Sequence, residues 1–204
     1  MDKGLPTMIV VARIPQRERG KQTVARLIDS GASVIAERGY GGATMVEIAA
    51  RAGASIGSLY QFFPSKEVLA GALLRCYGER VAVAFDAVMP QAAGASPRAI
   101  SEALINVMID VRVDRGAAMS LLDSRGEPQA ACSKLRAIML GRIERLLLLA
   151  MPRVSHAKAR TMSVMLLHIL RTIPRLLAEN SEMAPQLREE ACDAMQLYIS
   201  NAIG

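Results

Sequence analysis

The sequence predicts an all-α chain of about nine helices, and three observations carry that expectation. Ala, Leu, Met, Arg and Glu dominate the 204 residues, while aromatic residues make up only 3% and Trp is absent. These dominant types are good helix formers, most of them losing little rotamer freedom on a helix. Apolar side chains recur at the i, i+3, i+4 and i+7 spacing of one helical face. Serine, threonine, glycine and proline then punctuate the chain where helices would start and stop. A hydrophobic share of 51% beside 22% charged residues is that of a globular chain.

Taken in order, residues 1–16 hold two prolines and no helical period, and read as a flexible leader. A helix fits Arg17–Arg38, with Val24, Leu27, Ile28, Gly31 and Ile35 on one stripe. Gly39 stops it and Gly41–Gly42 turns the chain. Thr44–Met45–Val46–Glu47 has the form of a capping box, in which the Thr44 hydroxyl takes the Glu47 amide and Glu47 reaches back. The helix it opens is broken by Gly53. Ser55 caps a second short helix that ends before Pro64, and Ser65 caps a longer one from Lys66 towards Met89.

Further on, Ser96–Pro97 opens a helix to about Val113 with proline in the first helical position. A short helix fits Arg115–Leu122 and ends at the Ser124–Arg125–Gly126 turn. Pro128 starts another that Pro152 stops near Met151. Ser155 opens a long helix to about Asn180, kinked by Pro174. Pro185 starts the last, which runs to about Ala202. The chain shows no internal repeat.

Several function classes are excluded. The longest uninterrupted apolar run is Leu146–Met151, far short of the roughly 20 residues a membrane span needs, so no membrane partner is expected. The first residues hold too short an apolar stretch and an early acid for a secretory signal. Cys76, Cys132 and Cys192 are odd in number and widely spaced, without metal-ligand spacing, which suits a reducing cytoplasm. His156 and His168 are the only histidines, and no nucleophile–base pair, phosphate loop or ligand cluster accompanies them. Neither an enzyme nor a cofactor site is expected.

Charge points the other way. The net charge is +6, and residues 1–66 hold nine of the 25 Lys and Arg against five of the 19 acids. A basic segment of this kind suits a polyanion.

The segment Thr44–Lys66, TMVEIAARAGASIGSLYQFFPSK, gives that charge a purpose. A helix-turn-helix needs a small residue where its helices cross, and Ala49 stands there. Its turn needs left-handed backbone, which Gly53 supplies, and Ala54 can plug the space between the helices. Leu59 and Phe63, four apart, mark the buried side of the second helix. Ser55, Gly57 and Ser58 leave the other side slim enough to approach base edges in a major groove.

With these residues in view, the segment resembles the tetracycline-repressor (TetR) family of transcriptional regulators. Thr44, Ile48, Ala49, Ala52, Gly53, Ser55, Gly57, Leu59, Tyr60, Phe63 and Lys66 match that family's pattern. Glu37–Arg38–Gly39–Tyr40 resembles the end of its first helix. The resemblance implies a double-stranded, palindromic DNA operator and an N-terminal three-helix DNA-binding domain over 17–77. It also implies a larger helical ligand-binding and dimerisation domain over 78–204. Thr44 with its helix N-terminus, Tyr60 and Lys66 would hold phosphates. Ser55, Ser58 and Gln61 would read bases beside Gly57, with Ile56 against a thymine methyl. Arg17, Arg19 and Lys21 would grip the backbone or a minor groove. Phe62 and Ile56 stand where relatives often carry more polar residues.

Two reading heads are needed for useful specificity, so the chain is expected to form a homodimer. The candidate faces are Met162, Ile169 and Ile173 on one late helix and Leu187, Ala191, Met195 and Tyr198 on the other. Twelve methionines beside few aromatics suggest an adaptable lining for an apolar small-molecule effector. Its candidates are Phe85, Met89, Met108, Met119, Met139, Met162 and Met165, with Arg112 and His168 as polar anchors. A repressor released by such an inducer is the leading reading. The alternatives are a DNA-binding regulator with no small-molecule ligand and a thiol redox-responsive one.

Overall fold

The computed structural model describes residues 18–111, 115–123 and 129–202. Arg17, Arg112 and the 1–16 leader lie outside the described residues. Nine α-helices occur among those described, in the order the punctuation predicts: α1 (Glu18–Gly42), α2 (Met45–Arg51), α3 (Ile56–Phe62), α4 (Lys66–Val88), α5 (Pro97–Asp110), α6 (Arg115–Asp123), α7 (Gln129–Ala150), α8 (His156–Glu179) and α9 (Ala184–Ser200). The chain divides into two compact units, one within 1–76 and 114–132, the other within 77–113 and 133–204.

The first unit contains α1, α2, α3, the first half of α4, and α6. Leu27 and Ile35 of α1, Ile48 of α2, Leu59 of α3, Leu69 of α4 and Leu121 of α6 are all fully buried. Each such side chain contributes about 1.5–3 kcal/mol through the water it sheds. The α1 stripe is rotated slightly from the predicted one: Leu27, Gly31, Val34 and Ile35 are buried, while Val24 and Ile28 are half-covered. Gly31 sits under α4, where an added Cβ would lie 3.2 Å from Leu69 Cδ2. Gly39 interrupts the helix at φ 71°, ψ 164°, left-handed backbone that glycine adopts without a Cβ clash.

α6 was not part of the contiguous head read from the sequence, yet it packs along α1 in this unit. An added Cβ at Gly116 would lie 3.0 Å from Ala36 Cβ, and the Tyr40 amide donates to the Ser120 hydroxyl at 3.1 Å. Periodicity shows that a helix has an apolar face; it does not show which helix covers it.

The second unit contains the remainder of α4 with α5, α7 from Ser133 onward, α8 and α9. Its core gathers Phe85, Ile100, Leu104, Met108, Met139, Ile143, Leu147, Met162, Leu166 and Met195, each no more than 2% exposed. Ser96 and Ser155 cap α5 and α8 by accepting the amides of Ala99 and Lys158 at 3.2 Å. Arg98 ties α5 to α9, donating to Asp193 at 2.9 Å and pairing with Glu189, while Glu102 lies 3.0 Å away on its own helix. Glu189 above all, with Glu102 assisting, holds the Arg98 guanidinium firmly protonated.

α8 continues through Pro174 as one helix. It is also the described helix that compares with a membrane span, with 24 residues and a mean hydropathy of 1.2 in its most apolar window. Uninterrupted runs in the sequence did not show this. One third of that window is buried inside the unit, and Lys158, Arg160, Arg171 and Arg175 lie along the same helix. Met162, Leu166, Leu167, Leu170 and Ile173 fill the core of the unit, while Val164, Met165 and Leu176 of the same helix stay exposed.

Candidate nucleic-acid interface

Local hydrogen bonds fix the ends of the two short helices in the first unit. The Thr44 hydroxyl accepts the Glu47 amide at 3.2 Å, half of the expected capping box. The Glu47 carboxylate turns instead to Arg38 Nε at 2.8 Å, with Arg51 3.9 Å away. At the far end, Gly53 takes φ 62° and the Ala54 amide donates back to the Ala49 carbonyl at 3.0 Å. Ser55 then caps α3, accepting the Ser58 amide at 3.1 Å.

With both ends set, the facing of α3 follows from helical geometry. Leu59 and Phe63 point inward, 0% and 1% exposed. Ser55, Ile56, Gly57, Tyr60 and Gln61 are exposed, and Ser58 and Phe62 are half-covered. Tyr60 keeps 48% of its surface open, which leaves its hydroxyl free to reach outward. An added Cβ at Gly57 would touch nothing, so the α3 backbone itself is accessible there.

The nearby cations are less available than their number suggests. Arg51 forks onto Glu37, with Nη2–Oε2 at 2.8 Å, and that hydrogen bond holds the Glu37 carboxyl below its usual range. Arg38 is paired with Glu47. Arg19 and Lys21 are exposed on the first turns of α1, and Lys21 meets Glu18 at 2.8 Å in a pair open to water. Such exposed pairs contribute little and open readily for a stronger anion.

Lys66 differs most from its expected role. Its ammonium donates to the carbonyls of Tyr40 at 2.8 Å and Ala43 at 3.1 Å, and sits 4.6 Å from the centre of the Tyr40 ring. Two of its three donors are thus committed inside the unit. The Tyr40 hydroxyl donates to Glu67 at 3.1 Å. The Glu67 carboxyl is held below its usual range, chiefly by the Ser65 hydroxyl, with its own amide, Tyr40 and Lys66 assisting. Lys66 fastens the α1–α2 corner to the start of α4. Sequence reading missed this because the acceptors are backbone carbonyls, which no residue type announces.

In the second unit the expected ligand and dimer residues separate into two groups. Phe85, Met108, Met139 and Met162 are buried together in its core, and Met89 is half-covered at the end of α4. Met165 and His168 do not join them: Met165 is 49% exposed, and His168 is exposed with Nδ1 donating to the Val164 carbonyl at 2.7 Å. Met119 lies on α6, in the first unit. A cleft of about 330 Å³ lies beside the start of α8, lined by Gly141, Glu144, Arg145, Leu148, Leu149 and His156, none of them an expected ligand residue.

The dimer candidates need a similar correction. Met162, Ile173 and Met195 are 0–2% exposed within their own unit and cannot meet a partner. Ile169, Leu187, Ala191 and Tyr198 are half-covered, and burial pushes the Tyr198 hydroxyl pKa up. The apolar side chains that do face outward are Val164, Met165 and Leu176 on α8 and Leu197 on α9. Three residues along a helix leave Met162 and Met165 only about 60° apart, so the border between buried and exposed surface runs within one apolar stripe.

A short capped helix, a left-handed glycine turn and a second helix with one side packed and the other open form a helix-turn-helix, the reading head of a DNA-binding protein. Residues 27–73 match the family model described as bacterial regulatory proteins, tetR family. Over those residues, which hold the helix-turn-helix, the chain is similar to that family of regulators. No curated protein matches it in sequence.

Solved structures share its fold. A TerR/AcrR-family transcriptional regulator from Aquifex aeolicus VF5 is 23% identical at TM-score 0.66, over 86% of this chain and 99% of that one. The regulator FadR from Bacillus subtilis, solved with stearoyl-CoA, is 16% identical at TM-score 0.65, over 84% and 96%. SmeT, in a complex with triclosan, is 18% identical at TM-score 0.64, over 86% and 90%.

Proposed function

We propose that the protein is a homodimeric repressor that leaves a palindromic operator when an apolar small molecule binds its second unit. The observation that carries the reading is the two-sided α3, with Leu59 and Phe63 packed and Ser55, Ile56, Gly57, Tyr60 and Gln61 open. In this reading α3 enters a major groove. Thr44 with the first turn of α2, the Tyr60 hydroxyl and the remaining Lys66 donor hold phosphates. Arg17, Arg19 and Lys21 add charge beside the groove. Ser55, Ser58 and Gln61 read base edges.

Dimerisation is assigned to the outward apolar residues of α8 and α9, Met165, Leu176 and Leu197 among them. The effector site is assigned to the methionine-rich core of the second unit around Phe85, Met108, Met139 and Met162. Two neighbours of this fold were solved with stearoyl-CoA, whose acyl chain is apolar, and with triclosan, which supports an inducer with a substantial apolar part. α6 packs on α1 and is joined in sequence to α5 and α7, so a shift in the second unit has a covalent route to the reading head.

The test is selection of bound DNA from a genomic pool at about 0.15 M salt, followed by a screen for molecules that release it. The expected product is a palindrome whose half-sites lie about one helical turn or more apart. Enrichment without any shared sequence would contradict the reading.

A further inference from the structure

The exposed side of the reading head is short of charge and long on carbon. α3, Ile56–Phe62, carries no acidic or basic residue. The strongest direct contact to guanine is an Arg or Lys side chain forked onto O6 and N7, and α3 has no group to make it. Arg51, at the end of α2, is forked onto Glu37 instead.

What the head does present is branched hydrocarbon. Ile56 is 39% exposed at the first position of α3, beside the bare backbone of Gly57. Val46, in the first turn of α2 next to the Thr44 cap, is 68% exposed. Neither is needed to fill the core, since Met45, Ile48, Ala49, Leu59 and Phe63 already do so. Apolar surface left in water gains when it meets apolar surface on a partner. Along the major-groove edges of the four bases, the C5 methyl of thymine is the apolar group on offer. It lies towards the backbone side of the groove, within reach of a turn that also touches phosphate. Gln61, exposed on α3, has the paired donor and acceptor that adenine N7 and N6 require.

We propose that this protein reads A·T pairs through their methyl groups: Ile56 and Val46 each seat against a thymine C5 methyl, and Gln61 takes an adenine. The proposal rests on the DNA-reading assignment above and specifies what that head recognises. No Arg or Lys of α3 forks onto guanine.

The experiment uses the full-length protein and an operator obtained by selection. Each thymine is replaced in turn by deoxyuridine, which deletes the methyl and keeps the base pair. Affinity is expected to fall about threefold to tenfold at two positions in each half-site, on the scale of one lost methyl contact. Ile56→Ala should bind the thymine and deoxyuridine forms equally at one of these positions, and Val46→Ala at the other. Both side chains lie outside the core, and melting curves will show whether the variants remain folded. A selected operator whose affinity is indifferent to every deoxyuridine would overturn the proposal and leave the DNA-reading assignment standing. Full methyl dependence in both variants would do the same. If no operator can be selected at all, the DNA-reading assignment fails and the proposal fails with it.

Discussion

In the reading head, Thr44, Gly53 and Ser55 each set a helix end by a local hydrogen bond or a backbone angle, and two seven-residue helices result. Along α8 and α9, 24 and 17 residues repeat an apolar period with few internal markers. In the first region the order of residue types decides which side faces out, because each helix is too short to offer more than one packed face. In the second, both stripes are apolar enough to serve either the core or a partner. Tertiary packing alone decides between them, and it turned Met162 and Met195 inward while leaving Met165 and Leu197 outside.

The largest effect expected from this contrast lies in the second unit. Met195→Ala should cost about 2–5 kcal/mol in denaturant unfolding, because a fully buried side chain leaves a cavity. A loss below about 0.5 kcal/mol, typical of surface positions, would return Met195 to the partner-facing side.

Next comes Lys66. Lys66→Met removes the donor from the Tyr40 and Ala43 carbonyls and should destabilise the DNA-free protein by about 1–3 kcal/mol. Unchanged unfolding with weakened DNA binding would restore Lys66 as a plain phosphate contact. Smaller again are the caps: Thr44→Ala and Ser55→Ala should each cost about 1 kcal/mol by thermal denaturation. Equal stability of both variants with wild type would mean that the ends of α2 and α3 are held by something other than these hydroxyls.

The smallest effect on folding should come from the outward face of α8 and α9. Met165→Ser combined with Leu197→Ser should change unfolding of each chain by no more than about 0.5 kcal/mol per site. Sedimentation should nevertheless show a shift from dimer towards monomer. A dimer of undiminished affinity would move the interface elsewhere.

The order of helices was legible because their punctuation is chemical: a hydroxyl before an amide, a glycine where φ is positive, a proline at a first turn. The inward Leu59 and Phe63 were legible from their spacing, and the outward Tyr60 and Gln61 only from the resemblance of the segment to the TetR family. Contacts that join distant segments were not. Arg51 reaches Glu37 on α1, α6 lies along α1, and Lys66 holds two carbonyls on the α1–α2 corner. Each depends on where the backbone returns in space. The cation count likewise overstated the charge available to DNA, since Arg38 and Arg51 are bound to acids across α1 and α2.

The central claim is that α3 reads bases while Tyr60 and its neighbours hold the frame. The most direct measurement is the affinity of wild type, Gln61→Ala and Tyr60→Phe for every single-base variant of the selected operator at fixed salt. Tyr60→Phe should weaken binding to all variants alike, and Gln61→Ala should flatten the preference at one position in each half-site, worth about 1–3 kcal/mol there. A preference profile that Gln61→Ala leaves unchanged at every position would contradict the claim.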